Sequence, residues 1–270
     1  MKISIITPSY NNSENISDSL ISVLNQKGDF DIEHIVIDGK STDQTIDVIK
    51  KFEVDVKSGK LKPQCKKYSF KWVSEKDNGM YDAIIKGFEM SNGEIVAWIN
   101  TDDCYQDGAF ATVMKIFEKN EVLWIKGITD YINKDGTKKL GKLNEYNQKL
   151  IAKGIYGPVG KYIQQDSTFW RRGLLNQISY KEITKNGMAG DFRLWQLFAE
   201  KTPLYSFNQH VSYFRKREGQ KSSNVKVYRD GMLLTVKYSK LEEVIYKVIF
   251  KIEKILNITI IHGNIVSIKN

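Results

Sequence analysis

Three short apolar runs in the first part of the chain each stop at a polar segment that a sheet interior does not tolerate. Ile3 to Ile6 runs into Thr7-Pro8-Ser9-Tyr10-Asn11-Asn12, Ile35 to Ile37 into Asp38-Gly39, and Ile95 to Ile99 into Asn100-Thr101-Asp102-Asp103. Pro8 has no N–H to give to a ladder, so the first strand ends there. Beyond the first two runs the apolar period becomes helical. Ile16, Leu20, Val23 and Leu24 share one face of a helix that starts near Ser13. Ser41-Thr42-Asp43-Gln44 has the form of a capping box ahead of Ile46, Ile49 and Phe52. Strand, polar loop and helix thus alternate, which is the signature of a parallel sheet with helical crossovers. Such sheets bind ligands beyond the carboxyl ends of their strands, where this chain puts Asp38, Asp102 and Asp103.

The 270 residues suffice for one large domain, or one domain with an appendage. With 41% hydrophobic and 27% charged residues the composition is that of a globular protein. A net charge of +9 suits an anionic partner: nucleic acid, an acidic membrane face or a phosphorylated substrate. Cys65 and Cys104 are far apart and lack metal spacing, which points to a reducing compartment and no disulfide framework. No signal peptide follows Met1-Lys2, and no apolar run has the length of a transmembrane helix.

Further along, residues 53 to 70 read as an irregular lysine-rich insertion, and Phe70 to Ser74 as a strand ending in Glu75-Lys76-Asp77-Asn78-Gly79. Met80, Ala83, Ile84, Gly87 and Phe88 fit one helix, and Phe110, Val113, Met114 and Phe117 another. Val122 to Ile132 reads as strand, Lys134-Asp135-Gly136 as a turn, residues 137 to 163 as loops and Ser167 to Trp170 as strand. Ala189-Gly190-Asp191 opens a short helix, and Val211 to Phe214 is a last strand before a basic loop, Arg215 to Lys221. From Tyr228 to Leu256 the pattern is helical, with an apolar stripe through Leu241, Val244, Ile245, Val248, Ile249, Ile252, Ile255 and Leu256 beside five lysines. That helix either packs on the core or lies on an anionic membrane face.

Two adjacent carboxylates at a strand end are tolerated best with a hard cation between them and a phosphate, although an Asp-rich turn has the same spelling. No glycine-rich dinucleotide or P-loop motif follows the first strand, and no Cys/His set has zinc spacing. Of the three histidines, His34 leads into a strand and His210 adjoins the basic loop, within reach of a phosphate.

Thr-Pro-Ser-Tyr-Asn at 7 to 11, Ile-Asp-Gly-Lys-Ser-Thr-Asp-Gln-Thr at 37 to 45, Ser-Glu-Lys-Asp-Asn-Gly-Met-Tyr-Asp-Ala at 74 to 83 and Ile-Asn-Thr-Asp-Asp at 99 to 103 together closely resemble glycosyltransferase family 2, in its non-processive bacterial branch that builds surface polysaccharides. The resemblance continues through residues 164–172, 190–195 and 211–215. It implies an α/β chain with the GT-A (Rossmann-like) fold, a mostly parallel sheet flanked by helices, over residues 1–220, with a basic amphipathic helical region at 221–270. It implies a nucleotide-sugar donor (UDP by family habit), Mn or Mg, inversion, and a saccharide or lipid-linked saccharide acceptor, with no nucleic acid as partner. By position, Asp38 corresponds to the residue that contacts the base, with Thr7, Pro8 and Tyr10 lining that pocket and Asp77 near the nucleoside. Asn100 stands where many members have Asp, facing ribose or metal. Asp102 and Asp103 match the metal motif and Asp191 the catalytic base. Gln165, Trp170 and Arg171 correspond to the acceptor or diphosphate side. Arg215 and Arg217 are candidates to steady the departing diphosphate. The location implied is the cytoplasm, with the inner face of the cell membrane as the surface a basic helix would touch. The other classes compatible with the residues are a sugar-nucleotide nucleotidyltransferase and a non-catalytic carbohydrate-binding module.

Overall fold

A computed structural model describes residues 1–119, 121–217 and 224–267. The first elements are β1 (Lys2–Ser9), α1 (Ile16–Leu24), β2 (Gly28–Asp38), α2 (Thr45–Lys57), β3 (Cys65–Ser74), α3 (Met80–Met90) and β4 (Ile95–Trp98). Their four strands lie parallel in the order β4-β1-β2-β3, as the alternation predicts. Two local readings are corrected. The capping box at Ser41 does not form: α2 starts at Thr45, whose N–H is taken by the Asp43 carboxylate, while the Ser41 hydroxyl turns to Asp38. The insertion expected at 53–70 is mostly regular, because α2 continues to Lys57 and β3 begins at Cys65.

The chain continues through β5 (Cys104–Tyr105), α4 (Ala109–Lys119), β6 (Trp124–Ile132), β7 (Lys138–Lys139), α5 (Gln148–Lys153), β8 (Thr168–Arg171), α6 (Tyr180–Thr184), α7 (Gly190–Ala199), β9 (Tyr205–Arg215), α8 (Val225–Leu233), α9 (Lys240–Leu256) and β10 (Asn264–Ile265). The stretch 137–163, read as loops, therefore holds β7 and α5. The sheet reads β10-β9-β6-β8-β4-β1-β2-β3. Only β8 runs against its neighbours on this path. The carboxyl ends of β1, β2, β3, β4, β6 and β9 consequently share one edge, and Arg171, paired with Ile95, lies at the other.

An aromatic cluster joins the sheet to α7. Trp195 stacks on Trp98 with ring centroids 5.6 Å apart and an interplanar angle of 8°, and also meets Trp124 at 5.7 Å and Trp170 at 5.8 Å. Offset rings of this kind add to the large area that a buried Trp removes from water.

The C-terminal helices pack on this framework. β10 extends the sheet beside β9, and Phe250 of α9 stacks on Tyr156 at 5.4 Å. The expected boundary at 220–221 and residues 218–221 of the basic loop lie outside the described residues. Among those described, no helix is long and apolar enough to cross a membrane.

Trp195→Ala removes the ring that three other tryptophans contact. A loss of about 3–5 kcal/mol is expected, measured as a lower urea midpoint at constant slope.

Candidate active site

On the side of β1, β2 and β3, Asp38 is fully buried at 0% exposure. Its Oδ1 accepts from the Ser9 and Ser41 hydroxyls, and its Oδ2 from the Ser41 N–H at 2.9 Å and the Ser74 hydroxyl at 2.8 Å. The carboxylate thus ties together the ends of three strands, and a base reaches it only by displacing one of these donors. Thr7 does not line a pocket: its hydroxyl is buried and lies 2.9 Å from His34 Nε2, because a buried hydroxyl must find a partner. Pro8 is buried as well. Tyr10, 57% exposed at the end of β1, is the one of the three that presents a free ring. Asp77 lies against Gly39, where a Cβ would come within 2.6 Å of its Oδ2.

At the end of β4 the acid pair divides. Asp103 is 0% exposed, and both its oxygens are engaged, Oδ1 by the Arg215 N–H at 3.0 Å and Oδ2 by the Asn100 amide at 3.3 Å. Burial, then Asp102 and Asp166, push its carboxyl well above the usual range. Asp102 accepts from Arg217 Nε at 2.7 Å through Oδ2, and its carbonyl accepts from Arg215 Nε. Arg215 also pairs with Asp18 at 2.7 Å. The basic segment after β9 therefore does close on the acid pair. Among the described residues no group of three His, Cys, Asp or Glu could hold a metal. The described residues supply only part of a coordination shell. Asp102 with its second oxygen, and the Asn100 Oδ1, buried without a partner, fit a hard divalent ion that takes its remaining oxygens from a diphosphate.

The residues around β8 part company. Both amide atoms of Gln165 are buried at the site edge without a partner. Trp170, at 0% exposure, belongs to the aromatic core, and Arg171 donates to the Val122 and Phe117 carbonyls at the far edge of the sheet. The expectation that these two face an acceptor or diphosphate is corrected: β8 is antiparallel, so it carries them away from the site. His210 sits within β9, its Nδ1 2.7 Å from Asp130.

Asp191 is the second residue of α7, and its partner Tyr81 follows the carboxyl end of β3. The Asp191 Oδ1 accepts from the hydroxyl of Tyr81, in the first turn of α3, at 3.0 Å, and from that of Tyr228 on α8 at 2.9 Å. Burial raises its carboxyl, while the Tyr228 and Tyr81 hydroxyls and main-chain N–H groups oppose the rise. The site thus joins a carboxylate of raised pKa, an acid with one open oxygen and two arginines. That set can accept a proton at one place and stabilise negative charge at another.

Residues 4–181 match the sequence model of Glycosyl transferase family 2. The chain belongs to glycosyltransferase family 2. An uncharacterized glycosyltransferase of Nostoc sp. is 30% identical over 80% of this chain and 65% of its own length. The poly(ribitol-phosphate) beta-N-acetylglucosaminyltransferase TarP of Staphylococcus aureus is 28% identical over 68% of this chain and 51% of its own. The chain thus spans less than two thirds of these relatives. Among solved structures, S. aureus TarS 1–349 in complex with UDP-GlcNAc matches 90% of this chain and 69% of its own at TM-score 0.58 and 17% identity. The mannosyltransferase PcManGT of Pyrobaculum calidifontis, in complex with GDP-Man and Mn2+, matches 86% of this chain and 62% of its own, also at 0.58, with 14% identity. The fold is the α/β GT-A arrangement expected of the family.

Tyr228, Asp18 and Asp166 were not singled out in the sequence. Tyr228 lies 37 residues from Asp191, at the start of the stretch read only as helical and ahead of its apolar stripe. The buried Asp166 accepts from the Ser212 hydroxyl and shows in the sequence only as one polar residue ahead of a strand. His34, buried between Thr7 and Tyr68, is held neutral by burial, its pKa lowered from 6.5 to about 3. The unfolded chain therefore binds a proton that the folded chain refuses. This contribution to stability is complete above about pH 6.5 and is lost as pH falls towards 3, at about 1.4 kcal/mol per pH unit. Urea midpoints at pH 7 and pH 5 are expected to fall with acid, and less steeply in His34→Gln.

Proposed function

We propose that this family 2 chain transfers a sugar from a nucleotide-diphosphate donor to a hydroxyl of a saccharide or lipid-linked saccharide, by a single inverting displacement. The observation that carries this reading is the Asp191 carboxylate, held by the hydroxyls of Tyr81 and Tyr228, together with Asp102 at the end of β4 with Arg217 against it. Asp191 takes the proton from the acceptor hydroxyl. The acceptor oxygen forms its bond to the anomeric carbon as the bond from that carbon to the diphosphate oxygen breaks on the opposite face. The nucleoside diphosphate leaves with the electron pair. Arg215 and Arg217 face that developing charge, and Tyr10 and Asp77 set the nucleoside end, over strand ends that Asp38 ties together. Asp102, with Asn100 beside it, would hold Mn or Mg, whose contribution is charge neutralisation at the diphosphate. A UDP-sugar is the donor we favour, supported by the UDP-GlcNAc bound to TarS. A surface polymer or its lipid-linked precursor is the acceptor, supported by relatives named for poly(ribitol-phosphate) and teichoic acid.

Asp191→Asn is expected to cut transfer by about 10²- to 10⁴-fold and leave donor affinity unchanged. Asp102→Ala should weaken Mn-dependent donor binding by at least about tenfold, or about 1.4 kcal/mol. A thermal-shift panel of nucleoside diphosphates and sugar nucleotides with Mn reads the binding, and nucleoside diphosphate release reads the transfer. Equal loss of both properties in Asp191→Asn removes the assignment of the base.

A peripheral contact with the inner face of the cell membrane belongs to the same proposal. At about 100° per residue, Leu241, Val244, Val248, Ile252 and Ile255 form one exposed apolar arc of α9. Lys240, Lys247, Lys251 and Lys254 lie along one flank of that arc, between it and the packed face that holds Phe250 and Glu253. An apolar strip with a lysine flank complements an anionic lipid surface. Co-sedimentation with phosphatidylserine vesicles is expected, with loss in Val248→Glu and little binding to neutral phosphatidylcholine. Undiminished recovery of Val248→Glu with phosphatidylserine vesicles, or equal recovery of the unaltered protein with both vesicles, would contradict the contact.

A further inference from the structure

The carboxylate assigned as base is held by two tyrosines, and the second comes from the C-terminal helical region. Tyr228 OH lies 2.9 Å from both Oδ1 and Oδ2 of Asp191, so the one hydroxyl is within hydrogen-bond distance of either oxygen. Tyr81 OH meets Oδ1 alone, at 3.0 Å. Close packing fixes the approach of α8. A Cβ on Gly231 would stand 2.4 Å from the Asn186 carbonyl oxygen, and one on Gly157 would stand 2.6 Å from Met232 Sδ. Asn186 Nδ2 in turn donates to the Gly231 carbonyl at 3.0 Å and to the Thr235 hydroxyl at 2.9 Å. Tyr228, Tyr162, Phe192 and Trp195 are among the residues that line a small cavity of about 20 Å³, space for a single water.

We propose that Tyr228 is a positioning residue for the base: α8 delivers its hydroxyl to the Asp191 carboxylate and holds both oxygens in place until an acceptor hydroxyl takes over one of those contacts. This rests on the reading of Asp191 as base. The side chains facing the carboxylate are Tyr81 from α3 and Tyr228 from α8, with Tyr162 behind the latter. No cation is among its hydrogen-bond or ion-pair partners in the described residues; Arg193, on the same helix, is turned to Glu182. Burial favours the protonated acid, and hydrogen bonds to the ionised form oppose it. Removing the doubly shared hydroxyl should therefore shift the balance towards the acid without removing a charge.

The test is Tyr228→Phe, which keeps the ring. In protein labelled with aspartate 13C at the carboxyl carbon, Asp191 is identified by the resonance missing from Asp191→Asn. Its titration midpoint is expected to rise by about one pH unit in Tyr228→Phe, and to rise in Tyr81→Phe also. An unmoved midpoint in folded Tyr228→Phe overturns the proposal. Gly231→Ala, which pushes α8 off its seat, is expected to shift it in the same direction, and covers the case in which Tyr228→Phe does not fold. UDP release from UDP-GlcNAc with Mn2+ supplies the kinetic arm: the acidic limb of kcat moves up while the donor KM stays. Full UDP release by Asp191→Asn would instead remove the base reading itself. An inactive Asp191→Asn beside an unshifted Tyr228→Phe would remove only the role of Tyr228.

Discussion

The stack of Trp195 on Trp98 binds the two halves of the site to each other. Trp98 is the last residue of β4, just before the acid pair, and Trp195 is one turn into the helix that carries Asp191 in its first turn. Neither functional segment is positioned by its own loop. Each inherits its place from a buried indole, and the indoles are locked by Trp124, Trp170 and Phe198 around them. Close-packed aromatic cores deform little, which is the rigidity that a site assembled from distant segments needs.

Around that core the polar groups at the sheet edge are largely engaged with one another. Asp38 holds three strand ends, and Asp103 holds the main chain of Arg215 and the amide of Asn100. These carboxylates shape the cleft rather than face it. Among the described residues, the buried atoms left without a partner there include the Asn100 Oδ1, the Gln165 amide and the Asp166 Oδ1. Buried polar atoms without partners cost free energy, and a cleft that collects them is prepared for a polar ligand.

The C-terminal helices belong to the site as much as to the surface. α8 brings Tyr228 to Asp191, and α9 anchors through Phe250 while leaving an apolar arc exposed. A region that reads in sequence as one amphipathic stripe is thus divided: part of it packs, part faces solvent, and the helix before it reaches the carboxylate. The stripe is wider than one packed face can bury.

Much of this was legible along the chain, because parallel strand-loop-helix units announce themselves by local period and the acids at their ends are local too. Sequence alone determined the α/β class and placed Asp38, Asp102 and Asp103 at strand ends; Asp191 was reached only through the family resemblance. Tertiary structure decided which of them face outward. Asp38, Thr7 and Trp170 are claimed by neighbours that only folding supplies. The antiparallel entry of β8 decided that Arg171 leaves the site. Asp191 meets Tyr81 across 110 residues and Tyr228 across 37. Hydrogen bonds of that span have no local period to reveal them; they exist only once close packing has brought the helices together.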